Sequence, residues 1–175
     1  PKGSPELTAA RKQEIVDACE RLYQTMSFKD ITIKEIGQVT SFTRTSIYSY
    51  FQTKEEIFLA LYEREYVLWN EDLRSIIEGH ESMSHQELAD LVAASIARRP
   101  QLLKLLAMNN FDIEENSRAE QLVSFKAAYG ASMRNVGEIL SKFCPEMDEG
   151  ERQRFIYVFF PFMFGIYPYT EVTEK

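Results

Sequence analysis

Between Thr43 and Lys54 the chain gathers hydroxyls, an arginine, two tyrosines and a lysine in one short run, TRTSIYSYFQTK. An arginine can donate to guanine acceptors or to a phosphate. Threonine and serine can approach thymine or backbone oxygens, and the free N–H groups at a helix start can donate to phosphates. The chemistry on offer is contact with a nucleic acid. A solvated helix face carries the same residue types, however, and short helices joined by a tight turn are common. An all-α module without a nucleic-acid role therefore stays open at this point.

Such a run needs elements that hold it. Apolar residues at three-to-four spacing, Ile15, Ala18, Leu22 and Met26, mark an opening helix from about Leu7 to Met26. Thr32 with Glu35 forms a capping box for a second helix that turns Ile36 and Val39 inward. Thr43 caps a third helix of about two turns with Ile47 and Phe51 inward, and Phe42 fills the turn between them. Its outer face is then Arg44, Thr45, Ser49 and Tyr50, with Ser46 and Tyr48 towards the edges and Thr32, Tyr48 and Lys54 at the rim. Thr53 with Glu56 is a second capping box, opening a long helix to about Glu78 through Ile57, Leu61 and Leu68. Helices of two turns are marginal alone, so the second and third must pack on the first and fourth. Two short helices crossing at a tight turn are the geometry that places side chains in a DNA major groove.

The stretch from Thr32 to Phe58, with the helix before it, resembles the DNA-binding segment of the TetR family of transcriptional regulators. In that family a capped second helix and a short turn lead into a recognition helix reading Lys/Arg-Gly/Ala-Thr-Leu/Ile-Tyr-x-Tyr/His-Phe, followed by Lys-Glu-Glu. Arg44, Thr45, Ser46, Ile47, Tyr48, Ser49, Tyr50, Phe51 and then Lys54, Glu55, Glu56 follow that pattern in order. The turn Thr40-Ser41-Phe42-Thr43 lacks the family's glycine, so Ser41 is expected to take up a conformation that glycine accepts cheaply. Gly37 stands where alanine is common, which weakens the second helix by roughly 1 kcal/mol if it is exposed. Thr45 replaces the usual small residue and suggests a different operator contact.

The resemblance implies an Ω-shaped homodimer whose two recognition helices read the half-sites of a DNA palindrome, often released when a small molecule enters the C-terminal domain. Carried over residue by residue, base-side roles fall on Arg44, Thr45, Ser49 and Tyr50, and phosphate roles on Thr32, Thr43, Tyr48 and Lys54, with Ser46 on the same helix. The expected organisation is all-α: a helix-turn-helix domain over 1–54, then a helical effector-binding and dimerisation domain over 55–175. The chain ends at Lys175, earlier than is usual in the family, so the last helix of that second domain is expected to be missing.

Further along, Ser84 with Glu87 caps a helix carrying Leu88, Leu91, Val92 and Ile96 to Arg99, and Pro100 starts a short one to about Met108. One long helix is expected from Glu114 to Phe143, and Asp148 with Glu151 starts a last one that becomes intensely aromatic. An effector cavity would lie among the middle helices, with Met83, Leu91, Met108, Phe111, Phe125, Tyr129 and Met133 as candidate walls and Asn109, Asn110 and Arg118 as polar anchors. Methionine and phenylalanine at helical spacing are core more often than pocket. Phe155, Phe159, Phe162, Phe164 and Tyr167 point several ways around the last helix. One of its faces should meet a second chain or a missing helix, or else wall a pocket where Pro161 kinks it.

With 45% hydrophobic residues in 175, the chain can bury a real core. The net charge of -7 repels phosphate, yet it is unevenly spread. Residues 1–54 hold eight Lys and Arg against six Asp and Glu, and the remainder twelve against twenty-one. Any DNA contact belongs near the N-terminus. Cys19 and Cys144 give no disulfide framework and no CxxC pair, which suits a reducing cytoplasm. His80 and His85 lack the HExxH spacing, so no metal site is expected. Nucleotide cradles and nucleophile motifs are absent, and Glu55-Glu56 and Glu114-Glu115 sit at helix starts, where the dipole accounts for them. Neither an enzyme nor a cofactor is indicated. The apolar run from Phe155 to Tyr169 is too short to cross a bilayer, which takes roughly 20 residues. The expectation is a cytoplasmic, sequence-specific repressor released from a palindromic operator by a small apolar or amphipathic effector. The alternative is an all-α interaction or lipid-binding protein without a DNA role.

Overall fold

The computed structural model describes residues 3–108 and 110–170, and no strand occurs among them. Helices run in the order α1 Pro5–Tyr23, α2 Ile33–Gln38, α3 Arg44–Ile47, α4 Lys54–Gly79, α5 His85–Ala97, α6 Pro100–Leu106, α7 Asn110–Glu115, α8 Ala119–Phe143 and α9 Glu149–Ile166, closed by a 3₁₀ turn at Tyr167–Tyr169. Two compact units result. One comprises Pro1–Tyr62 and Asn109–Phe125, the other Glu63–Met108 and Lys126–Lys175. The first unit thus takes in a segment that the sequence reading gave wholly to the C-terminal domain.

The first unit closes over Ile15, Ala18 and Cys19 of α1, Ile36 of α2, Ile47, Phe51, and Ile57, Phe58 and Leu61 of α4, all buried. Tyr23 and Phe28 meet the Phe58 ring edge-on at 5.1 and 4.7 Å. Val39 departs from expectation: it is 42% exposed, standing as the C-cap just past the end of α2, and the Val39 carbonyl accepts from the Arg21 guanidinium at 3.0 Å.

In the second unit Trp69 is fully buried, its indole N–H donating to Ser95 Oγ at 3.0 Å. Tyr129 packs edge-on between Tyr66 and Phe160. Polar ties run from Asn70 to the Ala128 carbonyl, from Arg99 to Asp72 and the Leu68 carbonyl, and from Lys142 to the Ile77 carbonyl. The capping boxes at Ser84/Glu87 and Asp148/Glu151 form in full.

The long helix expected from Glu114 to Phe143 is two. At the break, the Asn116 side-chain amide joins its own N–H on Asp112 O, while Ser117 Oγ takes the Ile113 carbonyl and the Ser117 N–H turns to Glu114 O, out of the α-helical ladder. The Arg118 N–H leaves the helical ladder for Glu56, and α8 restarts on the Arg118 carbonyl.

Candidate functional site

The recognition segment begins with its caps. Thr32 Oγ1 accepts from the Lys34 and Glu35 N–H groups at the start of α2 and also contacts the Glu35 carboxylate. Thr43 Oγ1 accepts from the Ser46 N–H at 3.2 Å at the start of α3 and pairs with Ser46 Oγ. Only four residues are α-helical in α3, but Ser49, Tyr50 and Phe51 continue to bond back to Ser46 and Ile47.

The turn between the two helices is held without glycine. No described non-glycine residue has a positive φ, so Ser41 does not adopt the conformation expected of it. Instead its N–H and hydroxyl both donate to Glu14 Oε1, at 2.8 and 2.7 Å. Those bonds, the side-chain one first, hold the Glu14 carboxyl below its usual value. Thr40 Oγ1 accepts from the Phe42 N–H and donates to the Gly37 carbonyl. Hydrogen bonds to α1 here replace backbone permissiveness.

On the face so built, Thr43, Arg44, Thr45, Tyr48 and Ser49 are exposed and Ser46 is half-buried. The Arg44 guanidinium lies 5.8 Å from the centre of the Tyr48 ring and donates to its hydroxyl at 3.3 Å, a pair four residues apart. Thr32 is exposed, as is Lys34 beside it, a cation in the first turn of α2 that sequence reasoning left unassigned. Tyr50 must be corrected: it is 7% exposed, and its hydroxyl accepts from Arg11 at 2.9 Å. Its ring packs by Phe42 within the unit, which removes it from the outer face. Lys54 is corrected in part. Its ammonium donates to the Phe28 and Ile31 carbonyls at 2.7 and 3.0 Å and stands 4.1 Å above the Phe28 ring, so two of its three donors serve the fold.

Arg118 likewise is no effector anchor. It pairs with Glu56, whose side chain is 1% exposed, at 2.6 Å, and also donates to the Tyr50 carbonyl. Burial would raise the Glu56 carboxyl, but bonds from the Arg118 side chain and the Gln52 and Arg118 N–H groups, with the Arg118 charge, hold it below the usual carboxylate value. Thr53 still caps Glu56 N–H, yet the Glu56 carboxylate bonds Gln52 rather than closing the expected box. A helix-start acid that the dipole seemed to account for is a buried, paired charge.

The second unit holds an apolar groove of about 680 Å³ among α5, α6, α8 and α9. Val92 and Ile96 face Val136, Ile139, Phe155, Phe159 and Phe162 across it, so the aromatic run of α9 supplies a wall. Phe155, Phe159 and Phe162 thus take the wall position that the sequence left open for them, whereas none of Met83, Leu91, Met108, Phe111, Phe125, Tyr129 and Met133 borders this groove. Phe125 is buried against Tyr62 in the first unit, Phe111 is 84% exposed, and Tyr129 lies in the ring stack of the second unit. Met83, Leu91, Met108 and Met133 are half-buried elsewhere. Asn109 and the side chain of Asn110 lie outside the described residues. His85, Cys144 and Glu146 stand at the groove, where the structure brings together three groups that the sequence keeps far apart.

Family models match most of the chain. Residues 15–61 match the model for bacterial regulatory proteins of the tetR family, and residues 63–175 match that for a tetracyclin repressor-like C-terminal domain. The chain belongs to the TetR family. It is therefore a transcription regulator with an N-terminal helix-turn-helix domain, as the resemblance implied. A solved structure of the fatty acid degradation regulator FadR from Bacillus halodurans shares the TetR fold with a TM-score of 0.61 at 15% identity, over 95% of this chain and 84% of that one. No curated protein matches the sequence. Among the described residues no helix is long and apolar enough to cross a membrane.

Proposed function

We propose that this TetR-family regulator is a repressor that binds a palindromic operator as a homodimer and lets go when a small apolar or amphipathic effector enters the groove of the second unit. The observation that carries the reading is the exposed face of α3, whose start Thr43 caps. Arg44, Thr45, Ser49 and Tyr48 project from a segment pinned by Glu14, Thr40 and Arg118 rather than by its own length. Arg44 serves base edges or the nearest phosphate, and Thr32, Thr43 and Tyr48 serve phosphates. Dimerisation is supported by α9, on which Tyr157 is 82% and Val158 67% exposed, more apolar surface than a lone helix leaves in water. No catalytic role is proposed for any residue.

The test is selection of duplex DNA from a random library by the full-length protein, followed by affinity for the selected duplex and a scrambled one over a salt series. A palindrome bound roughly a thousandfold more tightly than the scramble, and lost on Arg44→Ala, is the expected result. Failure to enrich any sequence from folded protein stripped of small molecules by unfolding and refolding would overturn the assignment.

A further inference from the structure

His85, Cys144 and Glu146 offer an imidazole nitrogen, a thiol sulfur and a carboxylate oxygen that lie within 4.8 Å of one another. We propose that these three residues form a binding site for a single borderline transition-metal cation of the Zn²⁺ type, set at the edge of the apolar groove. The site is independent of whether the groove takes an effector.

Two rigid pieces of backbone bring the donors together. His85 is the first residue of α5, fixed by the full capping box of Ser84 and Glu87. Cys144 follows the last turn of α8, its N–H bonded to the Leu140 carbonyl, while its own carbonyl accepts from Met147 N–H at 3.0 Å. That turn runs through Pro145, whose ring fixes its φ, and it carries Glu146 to the side of Cys144. His85 Nε2 already stands 2.8 Å from Glu146 Oε1. Bond lengths of about 2.0–2.3 Å at a tetrahedral ion set neighbouring donors roughly 3.3–3.7 Å apart, so the His85–Glu146 pair must open by about 0.5 Å to admit the ion and no other donor pair need close by more than about 1.5 Å. The two residues that would move, His85 and Glu146, are exposed and free to do so, whereas Cys144 is buried and stays.

The donor set selects the ion class. One sulfur with one imidazole suits zinc and its neighbours and not calcium or magnesium, which take oxygen alone. The metal binds thiolate and not thiol, so binding breaks the Cys144 S–H bond, forms an S–metal bond and passes one proton to solvent. Three protein ligands leave a fourth position, which water or a group lodged in the groove would fill.

The experiment uses untagged, reduced full-length protein titrated with Co²⁺ and then Zn²⁺. One equivalent of Co²⁺ should give a thiolate-to-metal charge-transfer band that Zn²⁺ abolishes, with release of one proton per metal measured by calorimetry in two buffers. The band should vanish in Cys144→Ser, and Zn²⁺ affinity should fall at least about tenfold in His85→Gln and Glu146→Gln, whose exposed positions leave the fold intact. A cobalt spectrum without the band, or unchanged affinity in the His85 and Glu146 variants, overturns the site.

Discussion

At the scale of single residues, the decisive groups are those whose partners lie far off in sequence. Glu56 and Arg118 are the clearest case. Arg118→Ala leaves a buried carboxylate with two backbone donors, and since the arginine is itself 38% exposed the cost should be about 1–3 kcal/mol by urea denaturation. The pH dependence follows from the direction of the shift. Because folding lowers the Glu56 value, its contribution is complete above the ordinary carboxylate range and is lost as pH falls through the lowered one. The gap between wild type and Arg118→Ala should therefore be widest near neutrality and close in acid. Gly37→Ala runs the other way. A methyl there meets the Arg44 nitrogen, Ile47 and the Phe42 carbonyl at 3.7 Å, ordinary contact, so a gain of about 0.5–1 kcal/mol is expected from thermal or urea unfolding. Tyr50→Phe, which removes only the bond from Arg11, should leave operator affinity within about threefold, while Arg44→Ala should cost at least about tenfold. Equal losses in the two would return Tyr50 to the DNA face.

Helices were legible where a local signal marks their ends and illegible where the signal comes from elsewhere. Ser84 with Glu87 and Asp148 with Glu151 could be read at a glance, since both partners of each box lie within one turn. The gap between α7 and α8 could not, because Asn-Ser-Arg contains no glycine or proline and the residue that ends the ladder answers to Glu56, 62 positions away. The recognition segment was legible as a pattern, and its outer face was read correctly except at Tyr50, whose inward turn depends on Arg11 of α1. The groove was legible on one side only. The aromatics of α9 stand out as a candidate wall, whereas the plain aliphatics of α5 and α8 that face them look like any core stripe, and the methionines and phenylalanines before α9 lie elsewhere. Ser84→Ala tests the element directly: loss of the cap should cost about 1 kcal/mol in unfolding measurements.

For the whole molecule, the uneven charge and the bare side of α9 set the expectations. The excess of acid beyond residue 54 disfavours phosphate there, so DNA contact is expected only at the N-terminal segment. If α9 joins two copies, sedimentation equilibrium should give a dimer at micromolar concentration, and the double change Tyr157→Glu, Val158→Glu should shift it to monomer with unfolding unaltered. A monomeric wild type would rule that interface out. One further property comes from the position of Trp69, the sole tryptophan of the chain. Its indole is sealed in the second unit, edge-on to Phe160 and bonded to Ser95 on the helix that also supplies Val92 and Ile96 to the groove. Fluorescence excited at the red edge, where tyrosine is dark, therefore reports on the second unit alone, an intrinsic optical gauge that needs no label, ignores the first unit, and should shift if an occupant of the groove displaces α5.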